Sequence, residues 1–555
     1  MKKLKSLLPV MLAAGVLFSS CDLIELLTEE ETLKPQETFD KTLTIDIPDE
    51  YNGKECFLIY TNTGESDSYI GRNAASRSAS SNQRMSIYKG VTNMGGGYYR
   101  DEVVFNENYV DRTARSAGDS GTETETNNKT YRDLVDNKFY VCINEQTQFE
   151  PKEFKQKYNG EHCRIWFWHN NPSVVDIEYL RDSDFKKLGK IIDNVFVDET
   201  QIFGSNAYNV SGKIKADENT KLDILIYDLF QDATDDQQTG TFGFFYSNDF
   251  NLNPARTQSN MCEAIHIDSF FLTKDIEGTE DEYGNKVPTQ RITSTIVHEF
   301  QHLLNYCNKS PRYLDSDIWY NEMLSMCAED IFQNIIGTSD DDSPKSRLNE
   351  SFNEPYQGFV YWPESNDPDV LNAYGNAYAF GAYLMRNYGG VNLIHEIANN
   401  NWANEDSISH ALQAVGKNED FISVLKKFGY VYLLDKRNTI TLNKEIKQTF
   451  SGTSYKLDKI DLNKYYFQRY SSYNALINDT DNNLYIKEKP QYSYTYDRTL
   501  YVLYGPRIFR TSYKLTQPIR QYGFAVYYLG KVDSDQTYEI PNPGNNIEYE
   551  IVSFD

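Results

Sequence analysis

Residues 289–332 read TQRITSTIVHEFQHLLNYCNKSPRYLDSDIWYNEMLSMCAEDIF, with His298-Glu299-Phe300-Gln301-His302 near the centre. Two histidines four apart on a helix lie one turn from each other on the same face, so both imidazoles can point at one ion. The helix is predicted by Ile292, Ile296, Phe300, Leu303 and Cys307, an apolar row at the helical period. Thr289, following Pro288, reads as its N-cap, and Asn308 with Pro311 as its far end.

Two imidazoles are one ligand short of a catalytic zinc site, which takes three from the protein and leaves a fourth position for water. A second periodic segment follows a short break, with Tyr320, Leu324, Cys327, Ala328, Ile331 and Phe332 on its apolar side. Glu322, Ser325 and Glu329 lie on its other face. Folded back antiparallel on the first helix, this segment can bring Glu322 to an ion between His298 and His302.

HExxH followed, after nineteen intervening residues, by the glutamate of Trp319-Tyr320-Asn321-Glu322-Met323-Leu324-Ser325 resembles the gluzincin metallopeptidases. In detail, HEFQHLLNY with WYNEMLSMCAED is most similar to the hyicolysin family of secreted neutral metallopeptidases. The resemblance is strong over 289–332 and weaker over about 175–435. It implies an α+β multidomain protein whose catalytic domain has a mixed sheet, the HExxH helix and a helical subdomain. It also implies Zn2+ held by His298, His302 and Glu322.

Zinc lowers the pKa of bound water towards ~7, and Glu299, beside the metal and not on it, is then expected to act as general base. Zinc aminopeptidases carry a helical tyrosine that stabilises the oxyanion. Here Tyr374 is the closest match and Tyr378 the alternative, and a packing role for either stays open. A glutamate at the offset of Glu329 can orient His298 through its other ring nitrogen, or it can be a helix-surface carboxylate.

The chain opens with Lys2, Lys3 and Lys5, an apolar run from Leu7 to Phe18, then Ser19-Ser20-Cys21. Residues 1–20 read as a signal peptide, and Cys21 as the lipidated first residue of a bacterial lipoprotein. Phe18 departs from the usual Leu of that motif, and ordinary cleavage with Cys21 as an odd thiol is the other reading. The acidic stretch 21–42 reads as a tether.

Residues 43–135 hold short strand-like pieces between polar Ser/Thr-rich stretches, giving a β-rich accessory domain. Residues 136–436 form the expected metallopeptidase domain. Within it the apolar density rises at KFYVCINE and HCRIWFWHN, and 221–230, 241–249 and 262–272 read as strands, with 241–247 as the strand at the edge of the cleft. A peptide could add to that edge as a further strand. Helices are expected over 183–196, 372–390 and 408–436, and 437–555 alternates at period two as a β-sandwich-like domain.

His266 alternates with Ile265 and Ile267 and reads as a strand histidine, while His162, His169, His395 and His410 lack ligand spacing. Cys307 and Cys327 read as core thiols, with a bridge between them as the alternative. A net charge of −26 argues against nucleic acid, whose phosphates need clustered Lys and Arg. The membrane is expected to be met through a lipid anchor only, at the bacterial cell envelope.

The expected activity is that of an exported endopeptidase acting on peptides or proteins, as a monomer. Two alternatives stand: a zinc aminopeptidase, although no GxMEN-like amine anchor occurs between 200 and 290, and a silent surface-binding lipoprotein with a structural metal.

Overall fold

The computed structural model describes residues 41–71, 91–93, 99–101, 137–142, 149–170, 180–233, 240–252, 258–280, 286–348, 354–363, 370–433, 440–465, 467–470, 491–495, 498–504 and 507–553. The signal segment, Cys21 and the tether up to residue 40 lie outside them, as does most of the expected 43–135 domain. Among the described residues no helix is long and apolar enough to cross a membrane.

The sheet beneath the site has five strands, β1 (Lys155–Asn159), β2 (Cys163–Phe167), β3 (Leu222–Tyr227), β4 (Gly243–Phe245) and β5 (Ala264–Asp268), in the order β4-β5-β3-β2-β1. The inner strands β2, β3 and β5 run parallel, and β1 and β4 add antiparallel at the two ends. Parallel strands are covered on both faces, and every residue of LDILIY and AIHID is buried, the polar Asp223, His266 and Asp268 included. Ile165, Ile224, Ile226, Ile265 and Ile267 face the large core under the helices. Trp166, Leu225, Tyr227 and Phe244 face a smaller one with Phe139 and Phe154. The 241–247 stretch does supply a terminal strand of this sheet.

The helices that build the site region are α1 (Asp182–Phe203), α2 (Ser269–Glu277), α3 (Arg291–Lys309), α4 (Ile318–Ile336), α5 (Val370–Leu384), α6 (Val391–Asn399), α7 (Glu405–Ala414) and α8 (Phe421–Phe428). Three local expectations fail for identifiable reasons. The strand expected over 262–272 stops at Asp268, whose carboxylate accepts from Phe271 N at 2.9 Å and so caps α2. The N-cap of α3 is Gln290, not Thr289, and the orphan amide of Ile292 is met from a distance by Asp275, at 2.6 Å. The helix expected over 408–436 is two helices and a 3-10 turn, broken where Gly416 adopts φ 78°.

The β-rich ends meet. Strand Glu55–Asn62 lies between Phe524–Lys531 and Ile547–Val552, with Ile508–Arg510 beyond, and Thr42–Asp46 pairs with Thr537–Pro541. Alternation along Glu55–Asn62 sends Phe57 and Ile59 into the large core and Cys56, Leu58 and Tyr60 into a separate one. The hairpin Ile446–Phe450 with Thr453–Leu457 packs on the helices. Tyr455 meets Phe332 of α4 edge-on, and Gln448 Oε1 accepts from Val391 N at 2.8 Å.

Candidate active site

The apolar row of α3 packs Ile292, Ile296, Phe300 and Leu303 into the large core, with Phe300 stacked on Phe196 of α1 at 4.8 Å. That leaves the histidine face turned to α4. The turn at 310–317 reverses the chain, and contacts between the helices run in opposite senses. Ser294 meets Glu329, His298 meets Glu322 and Glu329, and His302 meets Ser325. The antiparallel pair expected from the sequence is therefore present.

His298, His302 and Glu322 converge. Their donor atoms all lie within 4.8 Å of one another, and they form the one group with metal-ligand spacing among the described residues. Nε2 of His298 is 3.2 Å from Glu322 Oε2, and Nε2 of His302 is 3.4 Å from Glu322 Oε1. Zinc bonds of about 2.0–2.2 Å at tetrahedral angles put donor atoms about 3.4 Å apart, so this spacing suits zinc without rearrangement. Two imidazoles and a carboxylate also suit that ion chemically.

Each imidazole is held from behind. His298 Nδ1 lies 2.9 Å from Glu329 Oε1, and Glu329 Oε2 also accepts from Ser294 Oγ at 2.6 Å. His302 Nδ1 lies 3.0 Å from Ser325 Oγ, whose own hydroxyl donates to Gln301 Oε1. The acceptors at both Nδ1 positions can take a proton there, which leaves the Nε2 lone pairs free for an ion at the common point. Burial pushes the Glu322 carboxyl up, but the His302 and His298 imidazoles outweigh this and hold it at about 2. Burial pulls His302 down, while Glu322 and then Glu299 overcome that and raise it.

Glu299 is fully buried on the turn between the two histidines. Tyr374 and Tyr378 are both buried on α5. Tyr378 OH donates to Asp330 Oδ2 at 3.2 Å, and Asp330 is held by Arg386 at 2.8 and 3.2 Å, so this phenol belongs to a buried ion pair. Tyr374 packs edge-on against Trp362 at 4.7 Å and has the Arg347 guanidinium 5.4 Å over its ring. Arg347 Nη2 is also 3.7 Å from Glu329 Oε1, which places Tyr374 on the His298 side.

The remaining expectations are answered by contacts. His266 lies on β5 with Nε2 3.0 Å from Asp249 Oδ2 and Nδ1 3.1 Å from Tyr227 OH, away from the three converging donors. Cys307 and Cys327 are buried thiols with no bridge between them. Sequence reading missed Ser294, although its place four residues before His298 puts it on the same helix face. It also missed Arg347, which no spacing rule connects to α3.

Residues 170–433 match the family model described as Peptidase M30. The neutral metalloprotease ShpI of Staphylococcus hyicus is 25% identical over 264 residues, covering 45% of this chain and 51% of that protein. The chain thus spans about half the length of the curated relative it matches.

Proposed function

We propose that this chain, hyicolysin-like over residues 170–433, is an exported zinc-dependent endopeptidase. The observation carrying the reading is the pair of Nε2 atoms facing the two oxygens of Glu322 at 3.2 and 3.4 Å, with each Nδ1 anchored. His298, His302 and Glu322 would hold the zinc, and Glu329 would fix the ring of His298. When bound, the ion polarises the scissile carbonyl and lowers the pKa of water towards ~7. Glu299 takes the proton of the attacking water and returns it to the leaving amine. The Tyr374 hydroxyl donates to the oxygen on which negative charge develops.

The separation of roles makes the reading testable. The purified chain is expected to hold one zinc and to cleave amino-blocked quenched peptides, and chelation should abolish that cleavage. Glu299→Gln is expected to keep the zinc and lose roughly 10²–10⁴-fold in turnover. Glu322→Ala is expected to lose the zinc itself. A Glu299→Gln chain as active as wild type removes the mechanism. Blocked peptides left intact by a chain that keeps its zinc sink the endopeptidase reading.

Attachment to a bacterial envelope through Cys21 rests on the Ser19-Ser20-Cys21 motif and belongs to the same proposal. Palmitate labelling that survives Cys21→Ala would count against it.

A further inference from the structure

Three carboxylates, Glu299, Glu322 and Glu329, sit on the two site helices with at most 2% of their surface exposed. Charges this far from water are costly unless opposed nearby. A divalent cation between His298, His302 and Glu322 opposes two of them. The third calls for a fixed cation, and among the described residues the guanidinium paired with Glu329 is that of Arg347.

Arg347 closes the 3-10 turn Pro344–Arg347, well outside α3 and α4, and is itself 2% exposed. Its Nη2 lies 3.7 Å from Glu329 Oε1, the same oxygen that faces His298 Nδ1 at 2.9 Å. The Cζ of the same guanidinium lies 5.4 Å from the centroid of the Tyr374 ring. A planar guanidinium can meet a carboxylate with its edge and an aromatic ring with its face at once. An ammonium group is a point charge that can be drawn to either partner but cannot span both in one fixed plane.

We propose that Arg347 is a positioning residue that presses Glu329 against His298 and at the same time sets the ring of Tyr374, joining the metal-ligand side of the site to the oxyanion side. The proposal rests on the zinc-peptidase reading above. It assigns Arg347 two separable effects, one on metal affinity through Glu329 and one on turnover through Tyr374.

The test compares full-length wild type with Arg347→Met, Arg347→Lys, Glu329→Gln and the Arg347→Met/Glu329→Gln double variant. Zinc affinity is read by competition with a chromophoric chelator, and kcat with an amino-blocked peptide. Arg347→Met is expected to weaken zinc binding about 10- to 100-fold, and Arg347→Lys to recover most of it. The lysine variant keeps a deficit of about tenfold in kcat, because a point charge held at Glu329 no longer also braces the ring. The double variant is expected to bind zinc within about threefold of Glu329→Gln alone, since both changes cut the same link.

Additive losses overturn the proposal, and so does an Arg347→Met chain with reduced thermal stability but wild-type zinc affinity. Should Arg347→Met not fold, Arg347→Lys decides. Near-normal zinc affinity with lowered kcat supports the proposal, and wild-type kcat overturns it. A wild-type chain without zinc brings down the underlying reading as well, and shows itself before any variant is made.

Discussion

Tyr374 and Tyr378 stand one turn apart on α5 and look alike in the sequence, yet their surroundings predict opposite outcomes when each is cut back to Phe. The Tyr378 hydroxyl donates at 3.2 Å to Asp330, a carboxylate 1% exposed and held by Arg386 at 2.8 and 3.2 Å. Burial, and then the negative charge of Asp330, push this phenol far up, so it keeps its proton and remains a donor. A hydrogen bond to a charged group contributes about 1.5–3 kcal/mol, out of the roughly 5–15 kcal/mol of a typical domain. Tyr378→Phe should therefore lower the urea midpoint clearly and leave the kcat of the folded enzyme alone. Tyr374→Phe should do the reverse. Its ring contacts with Trp362 and Arg347 survive the change, so the fold should lose less than in Tyr378→Phe, where a hydrogen bond to a charged partner is cut. Loss of an oxyanion donor should cost about 10²–10³ in kcat. Urea denaturation and saturating peptide turnover, measured on the same preparations, separate the two. The reasoning fails if Tyr374→Phe turns over at the wild-type rate, or if Tyr378→Phe is as stable as wild type and a hundredfold slower.

Other expectations follow from the packing. A Cβ on Gly381 would lie 2.6 Å from Cys327 Sγ and 2.8 Å from Met323 Cγ, so α5 approaches α4 only because position 381 has no side chain. Gly381→Ala gains about 1 kcal/mol of helix propensity and should lose about 1–3 by overpacking. Adding Cys327→Ala should recover part of that loss, and no recovery would deny the contact. Asp275, which meets the start of α3, is raised by burial from 3.8 to about 6, against the hydrogen bonds of Thr289 and Ile292. The folded chain then binds a proton more tightly than the unfolded chain between pH 3.8 and about 6. This group's contribution is lowest above the folded pKa and grows as pH falls through that window, by up to roughly 3 kcal/mol. Stability relative to Asp275→Asn should rise accordingly from pH 7 to 4, and a flat difference would contradict the burial. With His298, His302 and Glu322 at most 2% exposed, metal can leave only when the site opens. Apo-protein should form over minutes or longer in excess chelator, whereas loss within the mixing time would mean an open site.

The convergence of His298, His302 and Glu322 was legible because it is local and periodic. HExxH and the downstream glutamate lie on two adjacent helices, and helical spacing alone says which side chains share a face. Glu329 could be read the same way, seven residues and so two turns beyond Glu322. What could not be read is tertiary. Asp275 meets α3 from a different helix, and its propensity to do so leaves no mark on the sequence around Thr289. Asp268 stops β5 because a helix cap won over an apolar run that suits either state. Nothing in 43–62 or in 507–553 announces that the two segments share a sheet, since pairing across so long a separation depends on packing and not on spacing. What sets the surroundings of Tyr378 apart from those of Tyr374 is Asp330 with Arg386, residues that periodicity places only in a core.

The geometry of the site is a property of one helix pair and what presses on it. Glu322, Ser325 and Glu329 follow one another at three and four residues along α4, and each meets a group on α3 at 2.9 to 3.4 Å. A shift of α4 by a single residue along its axis, about 1.5 Å, exceeds the roughly 0.2 Å tolerance of a zinc-ligand distance several times over. The register is held from both sides. Phe300 and its neighbours bind α3 to the sheet, while Gly381 and the Arg386–Asp330 pair clamp α4 to α5. Changes far from the three ligands that loosen this clamp should therefore weaken zinc binding before they unfold the chain, because metal geometry tolerates less movement than apolar packing does.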